Sequence, residues 1–105
     1  MVSIRSKGRV EFRFMARGAR RVQVVGDFTD WLGRPIEMSP GADGWWRVAT
    51  AVPVGEHRFR YLVDGRHWMT DFAAFGVAPN RFGQFDSVLV VTVSPPAVME
   101  PIAAS

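Results

Sequence analysis

The chain has no cysteine among its 105 residues. That excludes a disulfide framework and any thiolate-ligated metal site, and it suits a reducing cytoplasm. Long apolar runs are also missing: no stretch approaches the roughly 20 apolar residues of a membrane span. The N-terminal MVSIRSKGRVEF carries charge where a secretory leader needs an apolar run. A soluble, cytoplasmic protein is expected. Lysine is nearly absent too, since twelve of the thirteen basic residues are arginine and Lys7 is the exception.

What is present fits one ordinary globular domain. Apolar residues make up 48% and charged residues 22%, and a chain of this length builds a single core. The net charge of +3 is unevenly placed. Residues 1 to 21 hold seven basic groups against Glu11 alone, whereas the rest of the chain holds six basic and nine acidic ones. A basic N-terminal third could meet phosphates or an acidic partner. With no nucleic-acid motif beside it, a solvated strand face is the better reading.

The periodicity is almost wholly two-residue. In RVEFRFMA, the residues Val10, Phe12, Phe14 and Ala16 alternate with Arg9, Glu11, Arg13 and Met15, the mark of a half-buried strand. A turn in ARGARR precedes RVQVV, and PGADG precedes WWRVATAV. HRFRYLVDG places His57, Phe59, Tyr61 and Val63 on one face and Arg58, Arg60 and Leu62 on the other. Asp64 and Gly65 form a hairpin signal before the short return strand HWMT. Residues 71 to 83 read as irregular, and SVLVVTV as a nearly continuous apolar strand suited to a central position. Six or seven short strands without a helical stripe predict an all-β antiparallel sandwich, with a small barrel as the alternative. The domain is expected to span residues 1–94. Pro95 and Pro96 cannot continue a sheet, so residues 95–105 are expected to form a flexible tail.

Chemistry-bearing patterns are few. His57 and His67 have no acidic or thiol partner at metal-ligand spacing, which argues against zinc. None of the six serines sits in a nucleophile elbow, and no phosphate-binding glycine loop occurs. Asp27 and Asp30 read as turn residues rather than a glycosidase pair. Neither catalysis nor a cofactor is indicated.

The tryptophans carry the functional signal. Trp45 and Trp46 are strand neighbours and point to opposite faces, with Trp46 assigned to the core beside Val48. Trp31 lies in the turn-rich stretch GDFTDWLGRP, and Trp68 follows the Asp64 turn. Both stand outside regular core positions, with Arg60 on the polar face of the strand between them. Flat aromatic faces beside hydrogen-bonding groups suit a pyranose ring, whose C–H face stacks and whose rim bonds. If each indole loses roughly 100 Å² of apolar area, each contributes about 2.5 kcal/mol. Against the cost of association, that arithmetic gives weak binding, between roughly mM and tens of μM.

These residues resemble a known family. VQVVGDFTDWLGRPIEM, DGWWRVATAVPVGEHRFRYLVDG, HWMTD and FGQFDSVLVV, in that order, are similar to carbohydrate-binding modules of family 48. That is the glycogen-binding type of the AMP-activated protein kinase β-subunit, with related early-set domains ahead of isoamylase and branching-enzyme barrels. The resemblance covers residues 9 to 93. It implies an immunoglobulin-like early-set sandwich of about seven strands that binds α-1,4-glucan (glycogen, starch or maltodextrin) without catalysis. A glycogen-metabolising enzyme or kinase is the implied partner. It also implies roles for residues: Trp31 and Trp68 as stacking platforms, Arg60 where the kinase module has a lysine, Phe82 as an apolar loop contact, and Asp86 in place of a sugar-bonding asparagine. Three departures stand out. His67 lengthens the spacing to Trp68, Asp86 accepts where an amide also donates, and Arg60 changes the reach of the cation.

Two other functions are separable by experiment. An interaction scaffold would use Trp45, Phe82 and Phe85 as contacts, since fold does not fix function. Replacing Trp31 and Trp68 abolishes glucan retention only if the chain is a glucan module. Nucleic-acid binding through the arginine-rich N-terminal third predicts steep salt dependence, which stacking on neutral sugar lacks.

Overall fold

The computed structural model describes residues 2–4, 9–71 and 74–92. It is an antiparallel β-sandwich. Among the described residues there are ten strands, where about seven were expected: β1 (Val2–Ile4), β2 (Arg9–Met15), β3 (Val22–Gly26), β4 (Ile36–Glu37), β5 (Ser39–Pro40), β6 (Trp45–Ala51), β7 (Gly55–Val63), β8 (His67–Met69), β9 (Val77–Pro79) and β10 (Phe85–Val91). The surplus consists of pieces two or three residues long, too short to show an alternation in the sequence. β9 falls inside the stretch read as irregular. Its Pro79 is tolerated because β9 is an edge strand.

One sheet runs β1-β2-β6-β5, and the other runs β4-β3-β7-β10-β9 with β8 also paired to β7. The long strand β7 organises the second sheet. β3 lies along one side of it, with Val22 opposite Val63 and Gly26 opposite Phe59. The other side is shared end to end: β10 pairs with residues 55–59 and β8 with residues 61–63. The Thr70 hydroxyl donates to the Phe85 carbonyl at 2.7 Å and stitches the junction between β8 and β10.

The alternation expected for β2 and β7 is observed. Val10, Phe12, Phe59 and Tyr61 join Val22, Val24, Trp46, Leu89 and Val91 between the sheets. Phe59 stands edge-on to both Phe12 and Tyr61, with centroids 5.2 and 5.6 Å apart, a favourable aromatic geometry. Trp46 is buried, and its indole N–H donates to the Ala16 carbonyl at 3.1 Å. β10 lies between β7 and β9, but it pairs with β9 over residues 85–87 and with β7 over residues 87–91. Beyond its pairing with β9 the outward Val90 is 36% exposed, so its continuous apolar run overstates its burial. A buried polar network lies beside this core: the Tyr61 hydroxyl donates to Asp71 at 2.8 Å, and the Asp71 amide donates to the Ser87 hydroxyl at 2.6 Å. The expected tail, residues 95–105, lies outside the described residues. No helix among the described residues is long and apolar enough to cross a membrane.

Candidate functional site

The stretch from Gly26 to Pro35 divides its aromatic residues between inside and outside. Phe28, in the 3₁₀ turn Asp27–Thr29, packs on the core and stacks on Phe12 with centroids 5.9 Å apart. Trp31 and Leu32, in the following turn Trp31–Gly33, stay 39% and 60% exposed. The switch between the two turns is a pair of left-handed residues, Asp30 at φ 52° and Trp31 at φ 50°. For a bulky residue such as tryptophan this conformation is strained, by roughly 1–3 kcal/mol.

Buried Thr29 holds the switch in place. Its hydroxyl accepts from the Gly26 amide at 2.9 Å and donates toward the Trp31 carbonyl at 2.8 Å. The Arg34 amide closes the turn on the Thr29 carbonyl at 2.8 Å. Asp27 ties the turn to β7, where its carboxylate meets His57 Nδ1 at 2.8 Å and accepts from the Arg58 amide at 3.0 Å.

β7 carries the floor of the site. Its outward residues are Arg58, Arg60 and Leu62, and Leu62 lies directly opposite Trp68 on β8. Val25 of β3, opposite Arg60, and Leu62 are both buried although neither belongs to the core between the sheets. This outer face therefore has an apolar layer of its own. Three residues, Asp64, Gly65 and Arg66, connect β7 and β8, with Asp64 and Gly65 left-handed. The extra residue noted in the sequence is thus taken up by the turn, and His67 pairs regularly with Val63.

β10 and β9 supply the far wall. Ser87 pairs with Phe59, and their chain neighbours Asp86 and Arg60 both line the same groove. The connection over residues 80–84 is organised by Asn80. Its side-chain oxygen accepts from the Phe82 and Gln84 amides at 2.9 and 3.1 Å, and its Nδ2 donates to Asp86 Oδ1 at 3.1 Å. Phe82 is thereby held 77% exposed, while Asp86 is only 6% exposed.

All five residues singled out in the sequence, Trp31, Arg60, Trp68, Phe82 and Asp86, line one open groove of about 830 Å³. Arg58, Pro79, Asn80, Arg81 and Gln84 complete its lining and were not singled out. Arg58 was legible, since it shares the outward face of β7 with Arg60. Asn80 carried only the general signal of a turn-favouring residue in an irregular stretch. The Arg60 guanidinium lies over the Trp68 ring and that of Arg81 over the Phe82 ring, each 5.6 Å from the centroid. Two partly exposed indoles, an exposed phenyl ring and fixed polar groups around a shallow trough form a surface on which a flat, hydroxylated ligand can lie. Among the described residues, no cluster of three or more His, Asp or Glu side chains is placed to hold a metal.

A trough of this kind on the outer face of one sheet of an early-set sandwich defines a class of carbohydrate-recognition domain. The family described as the glycogen recognition site of AMP-activated protein kinase matches residues 9–96, and the chain belongs to it. A 1,4-alpha-glucan branching enzyme of Lactobacillus acidophilus is 40% identical over 73 residues, 66% of this chain and 11% of that enzyme. The beta-3 subunit of the SNF1 protein kinase of Saccharomyces cerevisiae is 32% identical over 88 residues, 81% of this chain and 20% of that subunit. The chain thus spans a fifth or less of the length of these two relatives. A crystal structure of a Salmonella typhimurium protein described as an alpha amylase superposes with a TM-score of 0.64 at 19% identity. That superposition covers 91% of this chain and 15% of the other, and it supports the sandwich fold.

Proposed function

We propose that this chain is a non-catalytic module that binds α-1,4-linked glucan (glycogen, starch or maltodextrin) in the groove on its second sheet. The single observation that carries the reading is convergence. Trp31, the pair Arg60 and Trp68, and the pair Phe82 and Asp86 come from three separate stretches of the sequence, and they line one trough. Membership of a glycogen-recognition family supports the same ligand.

In this reading Trp31 and Trp68 stack on sugar rings, Phe82 packs against a third face, and Arg60 donates to ring hydroxyls. Asp86 acts partly through Asn80, because one of its oxygens is already engaged. The module would deliver an attached or associated partner, a glucan-processing enzyme or a kinase, to the polymer in the cytoplasm. A domain bounded near residue 94 belongs to the same proposal. The interaction-scaffold alternative is weaker, since Trp45 lies on the first sheet and Phe85 on the second, and they form no single patch.

Native electrophoresis with and without glycogen in the gel tests the reading. Retardation of the wild type that is lost in Trp31→Ala, with the melting temperature little changed, is the expected outcome. A folded wild type that glycogen does not retard would overturn the assignment.

A further inference from the structure

We infer that the groove favours α-glucan carrying phosphate monoesters over the unmodified polymer. This rests on the glucan reading above and adds the charge of the substrate to it. Three guanidiniums, those of Arg58, Arg60 and Arg81, line the groove against one carboxylate, Asp86. Ion pairs among the described residues join Arg21 to Glu37 and Arg47 to Asp43, and these leave the three groove arginines out. Asp86 balances them poorly, being buried with its Oδ1 accepting from Asn80. Arg60 also buries an Nε that has no hydrogen-bond partner.

A neutral polysaccharide uses the N–H donors of these guanidiniums but not their charge. Uncompensated like charges around one trough repel each other, and sugar hydroxyls are served as well by uncharged donors. A phosphate monoester brings close to two negative charges and three acceptor oxygens, and its geometry matches the guanidinium fork bidentately. Placement agrees with chemistry here. Arg58 and Arg81 line the same trough as Trp31 and Trp68, so a sugar stacked on an open indole face carries its ester into a groove that also holds these cations. The chain thereby reads both the stacking face of a glucose unit and its modification.

The test compares retention by amylopectin carrying phosphate esters with retention by the same polymer after phosphatase treatment. Both are run at about 50 and 200 mM salt. Wild type is expected to bind the phosphorylated polymer about tenfold more tightly at low salt, as two or three exposed charge pairs allow. That preference should shrink at the higher salt. The double variant Arg58→Gln, Arg81→Gln should bind the phosphorylated polymer no better than the treated one, with an unchanged melting temperature as the control for folding. Equal retention of both polymers by the wild type overturns the phosphate preference and leaves the glucan reading standing. A preference that survives the double substitution, or that ignores salt, also overturns it. Retention of neither polymer removes both proposals together.

Discussion

The guanidinium of Arg60 lies over the indole of Trp68, its central carbon 5.6 Å from the ring centroid. The two residues sit on adjacent strands in a diagonal relation, because Trp68 pairs with Leu62 and Arg60 lies two residues before Leu62. The cation thus packs against one indole face, while Trp68 as a whole stays 37% exposed. In the proposed glucan-binding mode, a ring packed in this way would lose little further freedom when a sugar stacks on its open side, and reduced ordering cost is how preorganisation raises affinity.

Trp68→Ala should therefore cost more in binding than in folding. Removing an exposed strand residue changes stability by about 1 kcal/mol or less, whereas the lost stacking area is worth about 2.5 kcal/mol. Glucan affinity should fall by more than tenfold, measured by affinity electrophoresis beside a thermal melt. Arg60→Lys should give a smaller loss, because a lysine keeps the charge and gives up the planar stack.

Gly26 has no room for a side chain. A Cβ there would stand 2.5 Å from the Arg58 carbonyl oxygen and 2.8 Å from both the Phe28 ring and the Phe59 Cβ. The first contact is backbone, so relief requires β3 and β7 to separate just where the tryptophan loop departs. Gly26→Ala should destabilise the fold by about 1–3 kcal/mol, the usual cost of overpacking, and should weaken glucan binding as well. Denaturant unfolding read by tryptophan fluorescence measures the first effect.

Stability should fall at both ends of the pH scale. On the acid side, the Arg21 guanidinium bonded to Glu37 holds that carboxyl below the usual carboxylate range, and the Arg20 and Arg21 amides do the same for Asp64 at 2.7 and 3.0 Å. Groups with depressed values contribute stability that is present above the unfolded value, near 4, and lost as pH falls through the folded one. On the alkaline side, burial first and Asp71 second push the Tyr61 hydroxyl well above its ordinary value. Its contribution is complete below the unfolded value of about 10 and is lost as pH rises beyond it. Tyr61 is the only tyrosine in the chain. Tyrosinate absorbance should accordingly stay absent above pH 10 in the folded protein and appear together with unfolding.

Legibility in the sequence followed the physics of each element. Strands β2 and β7 announced themselves because one face is buried and one is wet, so alternation survives in Phe12 against Arg13 and in Tyr61 against Arg60. Strands β4 and β5 were silent, since two residues cannot show a period. β9 hid behind Pro79, a residue excluded from sheet interiors but permitted at an edge. The candidate site was legible where a large aromatic side chain lacked a core position, as with Trp31 and Trp68. Asn80 stayed invisible, because what it does depends on the distance of its amide from Asp86, a contact six positions along that no spacing rule encodes.

Asn80 supports the last prediction. One side-chain oxygen gathers two loop amides and the amide nitrogen bonds Asp86, so this residue holds both Phe82 and the carboxylate in the groove. The residue lies on an edge connection away from the core between the sheets, and removing it should leave the sandwich intact. Asn80→Ala should lower glucan affinity by roughly tenfold, from three lost hydrogen bonds at a net of about 0.5–1.5 kcal/mol each, partly replaced by water. Asn80→Asp separates the two halves of its role: it keeps the acceptor for the amides but sets a second carboxylate against Asp86, where like charges disfavour each other's ionisation. Its binding should therefore recover as pH falls toward the carboxylate range, whereas that of Asn80→Ala should not. Parallel pH profiles for the two variants would show that the bond to Asp86 is not what positions the loop.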